Sequence, residues 1–300
     1  KALCPTWERF LARIFANDAD IVAYLQRAVG YSLTGDTMAK TLFFLHGARG
    51  DNGKSTFMEV LLALLGEYAV RTPAETFMRG QDSRGPNPER TALRGARLVV
   101  ASELSDHQRF DESFLKDVTG GIDRIAARGL YEKHITFKPE FKLWLYGNHK
   151  PKLRSDDDAA WRRLHLVPFE ERIPLPEQDP DLAHKLIAEL PGILNWALAG
   201  LADWQKVKLS PPQKIVAAGN QYRHEMDDLG RFFEEECVVA PLAEAKAIEL
   251  YNAYMNWANA NGQRPMSNAN FGARLVDRGF TRRMLAGRTL WQGIGLRARY

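Results

Sequence analysis

The run Phe43-Phe44-Leu45-His46-Gly47-Ala48-Arg49-Gly50-Asp51-Asn52-Gly53-Lys54-Ser55-Thr56 constrains this chain more than any other stretch. An apolar segment feeds a glycine-rich loop that ends in Gly-Lys-Ser, and an amphipathic segment from Phe57 to Leu65 follows. Strand, loop and helix in that order make a phosphate-binding loop. Glycines let backbone N–H groups converge on an anion, Lys54 reaches the outer phosphates, and Ser55 stands at a helix N-terminus where its hydroxyl ligates magnesium. The residues expected to hold phosphates are Gly47, Gly50, Asn52, Gly53, Lys54, Ser55 and Thr56. Counting back from Gly53, the usual first-glycine position holds Ala48 and Gly47 comes one residue early, so the loop is one residue longer than the common form.

A chain of 300 residues is long enough for one large domain or two to three smaller ones. With 45% hydrophobic and 26% charged residues it fits neither a disordered nor a membrane class. No apolar run approaches the roughly 20 residues needed to span a bilayer. The first residue is Lys1 rather than methionine, so the chain reads as a piece of a longer protein. The net charge of +4 is mild but unevenly spread. Arg274, Arg278, Arg282, Arg283, Arg288, Arg297 and Arg299 face one acid, Asp277, between Phe271 and Tyr300, which reads equally as a nucleic-acid footprint or a solvated basic face. Cys4 and Cys237 have no paired spacing, and the histidines are scattered, so neither a disulfide framework nor a metal-ligand helix is expected.

Periodicity sets the organisation. Trp7, Phe10, Leu11, Ile14 and Phe15, then Ile21, Val22, Leu25 and Val29, predict two short helices. Strands are expected over Leu42 to Leu45, Leu98 to Ala101 and Leu143 to Tyr146, with helices over Lys54 to Leu65 and about Asp111 to Val118. Arg79 to Glu89 is polar and rich in Gly and Pro, which predicts a loop. Strand and helix patterns alternate from residue 41 to 170, the signature of an α/β domain with a parallel sheet. The expected division is a helical segment over 1–36, the α/β core over 37–175, a helical extension over 176–227 and a basic, winged-helix-like module over 228–300.

A phosphate loop needs an acid on a neighbouring strand, and Leu98-Val99-Val100-Ala101-Ser102-Glu103 ends in one. Glu103 is the expected general base for the attacking water and a holder of Mg²⁺. Asn148, in Tyr146-Gly147-Asn148-His149-Lys150-Pro151, is placed at a strand tip to hydrogen-bond phosphate or that water. Arg162 and Arg163 follow the acidic turn Asp156-Asp157-Asp158 and are candidates for an arginine finger, a guanidinium that neutralises transition-state charge in a neighbouring subunit.

Taken together, Gly-x-Asn-Gly-Lys-Ser-Thr, Arg97 to Glu103, Thr119-Gly120-Gly121 with Asp123 to Arg128, Lys142 to Pro151 and Trp161-Arg162-Arg163 resemble the superfamily-three helicase domains of phage and plasmid primase–helicases, and more distantly the poxvirus primase–helicase. The resemblance extends through Gly30 to Asp36, Leu190 to Trp196 and Tyr251 to Trp257, and so covers nearly the whole chain. It departs at the longer phosphate loop and at Ile122, which interrupts the usual Gly-Gly-Asp. It implies an AAA+ ATPase using ATP and Mg²⁺, assembled as a ring, usually a hexamer, that moves single-stranded DNA through its centre and unwinds forks. It also implies a primase domain upstream, no membrane association, and residence in the host-cell cytoplasm if the protein is phage-encoded. By the same match a pore hairpin has its tip near Gly129 to His134. Lys133 and His134 are then the leading DNA contacts, supported by Lys116, Arg124 and Arg128. Asn148 becomes the polar sensor, and Arg163 the finger with Arg162 as alternative. A rival from another class is an ATP-controlled replication initiator or loader that binds DNA without processive unwinding. A small-molecule kinase is a third, but it leaves the Arg162-Arg163 pair and the Gly-Gly segment without a role.

Overall fold

The apolar run that opens the phosphate loop becomes strand β1 (Leu42–His46), and the structure is built outward from it. In this computed structural model the described residues are 2–80, 87–102, 108–121, 123–129, 133–154, 156–285 and 287–297. The chain divides into two compact units, Lys1–Arg223 and His224–Tyr300.

In the first unit, helices α1 (Pro5–Ile14) and α2 (Ala19–Ser32) come before β1. Proline at its start and Trp7, Phe10, Leu11 and Ile14 on one face make α1 a buried amphipathic helix. Asp18 caps α2 by accepting from the Ile21 N–H. The elements that follow β1 are α3 (Lys54–Leu65), β2 (Ala69–Pro73), α4 (Pro88–Ala92), β3 (Leu98–Ser102), α5 (Glu112–Thr119), β4 (Ile125–Ala127), β5 (Ile135–Phe137) and β6 (Lys142–Gly147). Then come α6 (Asp158–Trp161), β7 (Leu164–Pro168), α7 (Leu182–Ala188), α8 (Leu190–Val207) and α9 (Gln213–Glu225).

Five strands pair in parallel in the order β2-β3-β6-β1-β7. A parallel sheet is covered on both faces, which is why β1, β3 and β6 read as continuous apolar runs rather than alternating ones. Phe43 stacks on Trp144 with ring centroids 4.3 Å apart, and Trp7 stacks on Phe57 at 5.4 Å. Helices α1, α2, α3, α7 and α8 contribute to one core together with the sheet. Close approach of α2 to α8 rests on Gly30 and Gly200: a Cβ on Gly30 would lie 2.2 Å from the Leu201 nitrogen, and one on Gly200 1.9 Å from the Gln26 carbonyl oxygen. The expected α/β parallel-sheet core is therefore present, with two strands the periodicity did not single out, β2 and β7, forming its edges.

Strands β4 and β5 stand apart from the sheet as an antiparallel pair, Ala127 opposite Ile135, inserted between β3 and β6 in the chain. The second unit runs α10 (Asp228–Glu236), β8 (Cys237–Lys246), α11 (Ala247–Ala260), α12 (Asn268–Asp277), β9 (Thr281–Leu285) and β10 (Arg288–Leu296), with the strands ordered β8-β10-β9. Helix, strand, two helices and a final hairpin are the order of elements in this unit. Its own core gathers Phe232, Tyr254, Trp257, Phe271 and Trp291. Cys4 and Cys237 are buried free thiols, one in each unit. Among the described residues no helix is long and apolar enough to cross a membrane.

Candidate active site

The loop Gly47 to Gly53 leaves β1 at the carboxyl end of the sheet, where ligands bind in open α/β folds. Register fixes its neighbours: His46 lies opposite Gly147 of β6 and Pro168 of β7, so the loop rises between Asn148 and Phe169. Two glycines are required there by geometry. Gly47 is buried, and a Cβ on it would sit 2.2 Å from Asn52 Nδ2 and 2.5 Å from the Phe169 carbonyl oxygen. Gly53 adopts φ +83°, and a Cβ on it would meet Ile14 at 2.8 Å. Gly50 has nothing within 4 Å of that position. Ala48, Arg49 and Gly50 are exposed, so the extra residue is absorbed on the solvent side of the loop without disturbing Asn52 to Thr56.

Asn52 shapes the arch from inside, its amide donating to the Arg49 carbonyl at 2.7 Å and the Phe169 carbonyl at 3.3 Å. The Lys54 ammonium is buried and donates to the Gly47 carbonyl (3.1 Å), Asn52 Oδ1 (2.9 Å) and Asn148 Oδ1 (2.9 Å). Burial pushes its pKa down to about 8. Lys54 also opens α3, whose N-cap is Gly53 with no side-chain cap and whose first turn carries no acid. The leading N–H groups of that helix are thus left to whatever anion sits above them. A cavity of about 530 Å³ adjoins them, lined by Lys54, Ser55, Thr56, Arg71, Ser102 and Asn148. Arg71 on β2 had no motif to mark it in the sequence; only the pairing of β2 with β3, Pro73 beside Ser102, brings this exposed cation to the cavity. A second cavity, of about 700 Å³, meets the loop at Gly53 and Thr56 and is walled by Arg9, Phe10 and Arg13 of α1 together with Ile173. Glu103 lies outside the described residues.

The expected finger residues sit at the other end of the sheet. Arg163 directly precedes β7, and its carbonyl accepts from the Leu42 N–H at the start of β1. The length of a five-residue strand, on the order of 16 Å, separates that point from the loop of the same chain. Arg163 is half-buried and donates Nε to Thr119 Oγ1 (3.1 Å) and Nη1 to the Ala159 carbonyl (2.5 Å). Arg162 is exposed and donates Nε to the Asp158 carbonyl one turn back, at 3.2 Å.

Of the cations assigned to DNA, Lys116 is held by Asp157 at 2.5 Å. Burial raises the Asp157 carboxyl, but its bonds to Lys116 and the Ala160 N–H outweigh that and hold it below the usual range. Arg124 reaches across the hairpin to the Thr136 carbonyl at 3.4 Å, while Arg128, Lys133 and His134 are exposed. In the second unit most of the arginine cluster is engaged locally. Arg278 pairs with Asp227 and lies over Phe233, Arg282 lies over Trp291, Arg283 stands 3.8 Å from Glu244, and Arg297 donates to the Cys237 carbonyl. Arg299 lies outside the described residues.

Comparison with known proteins sets likenesses beside this geometry. A family described as of unknown function (DUF5906) matches residues 45–163, and one described as poxvirus D5 protein-like matches residues 224–279. The chain is 29% identical over 272 residues to "Putative helicase 022R" of frog virus 3, covering 84% of this chain and 28% of that protein. It is 28% identical over 265 residues to "Putative helicase L207/L206" of Acanthamoeba polyphaga mimivirus, covering 81% and 27%. With "Putative primase C962R" of African swine fever virus the identity is 26% over 264 residues, covering 80% and 27%. The chain thus spans between a quarter and a third of the length of these relatives. Among solved structures, the apo form of the NrS-1 C-terminal region shares the fold, with a TM-score of 0.59 at 12% identity over 98% of this chain and 76% of that one. The D5-like match over residues 224–279 and the viral relatives make this chain similar to the poxvirus primase–helicase-like superfamily-three helicases, and it shares the fold of the NrS-1 region.

Proposed function

We propose that the chain is the ATP-hydrolysing motor of a DNA helicase. The observation that carries this reading is the convergence of Lys54 and Asn148, joined by a 2.9 Å hydrogen bond, beside the uncapped N-terminus of α3. Each partner has a job there. On phosphate binding Lys54 exchanges its carbonyl and amide acceptors for phosphate oxygens, and Asn148, released, turns its amide to the γ-phosphate or the attacking water. The α3 N–H groups take the β-phosphate. The nucleoside leaves the phosphates past Thr56 into the cavity beside Phe10 and Arg13.

The hydroxyls of Ser55 and Ser102 line the same cavity, which is the hard-oxygen donor set Mg²⁺ accepts while keeping several waters. An ion held there would neutralise charge on the phosphate oxygens. Glu103, the next residue in the sequence after Ser102, is the proposed general base.

Because Arg162 and Arg163 lie a strand's length from their own loop, a finger role requires a second copy, which supports a ring, hexameric by family pattern, with ATP between subunits. Lys133 and His134 at the hairpin would grip single-stranded DNA through its phosphates, without sequence preference. A primase domain belongs to the remainder of the longer protein. Lys54→Ala should abolish ATP hydrolysis and fork unwinding together, and retained hydrolysis would overturn the site assignment. Wild-type hydrolysis with no strand displacement on forked DNA would favour the ATP-controlled loader instead.

A further inference from the structure

We infer that Thr119 and Asp157 are positioning residues of a latch that ties the finger segment to the helix leading into the DNA hairpin. The inference rests on the proposed ring ATPase and deepens it. Two contacts, from different residues, join the same two elements. Asp157, the N-cap of α6, accepts from Lys116 of α5 at 2.5 Å, and Arg163, just past α6, donates to Thr119 Oγ1 at the last residue of α5 at 3.1 Å. Both partners are themselves fixed. The Asp157 carboxylate also accepts from the Ala160 N–H, and the Thr119 hydroxyl, buried, donates to the Leu115 carbonyl at 2.6 Å.

The position of α5 gives these contacts a consequence. In the chain α5 comes after β3, whose Ser102 lines the cavity, and before β4 of the hairpin, with Gly120 and Gly121 directly after its last residue. That exit has little freedom. A Cβ on Gly120 would lie 2.5 Å from Asp123 Oδ2, and Gly121 adopts φ +78°. When exposed Arg162 engages a neighbour's nucleotide, the displacement of α6 is passed through Asp157 and Arg163 to α5 and from there to Lys133 and His134. Lys116 and Arg163 therefore serve inside the subunit, and Arg162 is the arginine left to reach across.

The test uses the intact chain and three conservative variants. Asp157→Asn keeps a good helix cap and removes the charge that holds Lys116. Thr119→Val removes the hydroxyl at nearly constant volume, and Thr119→Ser restores it. ATP turnover is measured with and without single-stranded DNA, alongside strands displaced per ATP and thermal melting. Asp157→Asn and Thr119→Val are each expected to lower the ratio of DNA-stimulated to basal turnover by about fivefold, the scale of one hydrogen bond, with basal turnover and melting little changed. Thr119→Ser should retain the wild-type ratio. The latch is overturned if both altered variants keep that ratio, if Thr119→Ser loses it as Thr119→Val does, or if wild-type turnover ignores DNA. Failure of the ATPase reading looks different, since it appears as hydrolysis that survives Lys54→Ala.

Discussion

At the carboxyl end of the parallel sheet the side chains singled out by motif converge; at the amino end they part company. Around the loop, Asn52, Lys54 and Asn148 share hydrogen bonds within one small volume. At the finger and hairpin end, Lys116 is taken by Asp157 and Arg163 by Thr119, leaving Arg162, Lys133 and His134 toward solvent. The contrast has a physical origin. Gly47 and Gly53 dictate a backbone path, and a backbone path places its own neighbours. A cation on a helix or hairpin takes whichever acceptor the tertiary fold brings within reach, and spacing along the chain does not encode that acceptor.

The two arginines offer the strongest means of breaking the contrast. Arg162→Ala should lower ATP turnover in the assembled protein by about 10³-fold, the low end of arginine-finger effects. Arg163→Ala should instead lower the melting temperature and the DNA-stimulated ratio; a turnover loss as large as that of Arg162→Ala, with unchanged melting, would reverse the assignment. At the loop end, Gly47→Ala should cost about 1–3 kcal/mol from overpacking against Phe169 and Asn52 and lose ATP binding. Gly50→Ala should bind ATP as the wild type does, and equal losses in both would mean that the arch is not held from inside. Acidity sharpens the same point. Lys54 is charged below its pKa of about 8 and neutral above it, so ATP affinity should hold steady at lower pH and fall by up to about tenfold per pH unit beyond it. A flat profile up to pH 9.5, read by equilibrium nucleotide titration, would contradict the buried ammonium. The smallest effect belongs to the hairpin. Replacing Lys133 and His134 with alanine should flatten the salt dependence of single-strand binding by a log–log slope of up to about 1.4, since single-strand phosphate contacts contribute roughly 0.7 each. Lys116→Ala should alter that slope less than the hairpin pair does.

Much of the fold and the loop was legible because each rests on local signals. Continuous apolar strands and glycine-bounded turns set β1, β3, β6 and α3. The misses have reasons as particular. Strand β2 is short and carries Arg71 and Pro73 on an edge, so no apolar run announces it. Strand β8 contains Pro241, which ordinarily argues against a strand; pairing to β10 resumes only after a register shift between Gln292 and Ile294, and Pro241 falls in the unpaired arc. The arginine cluster near the C-terminus looked like a single basic surface, yet Arg278, Arg282 and Arg297 fasten elements of the second unit to one another. Charge counted along a chain cannot separate fasteners from ligands.

Gly53 supplies a last consequence. Its left-handed turn rests directly on Ile14 and Phe10 of α1, with Trp7 of the same helix stacked on Phe57 of α3. The residue that presents N–H groups to an anion therefore has an aromatic floor belonging to a different part of the chain. If a nucleotide tightens the loop, the push should reach that floor, and the emission of Trp7, in a chain whose other six tryptophans are replaced by phenylalanine, is the expected readout.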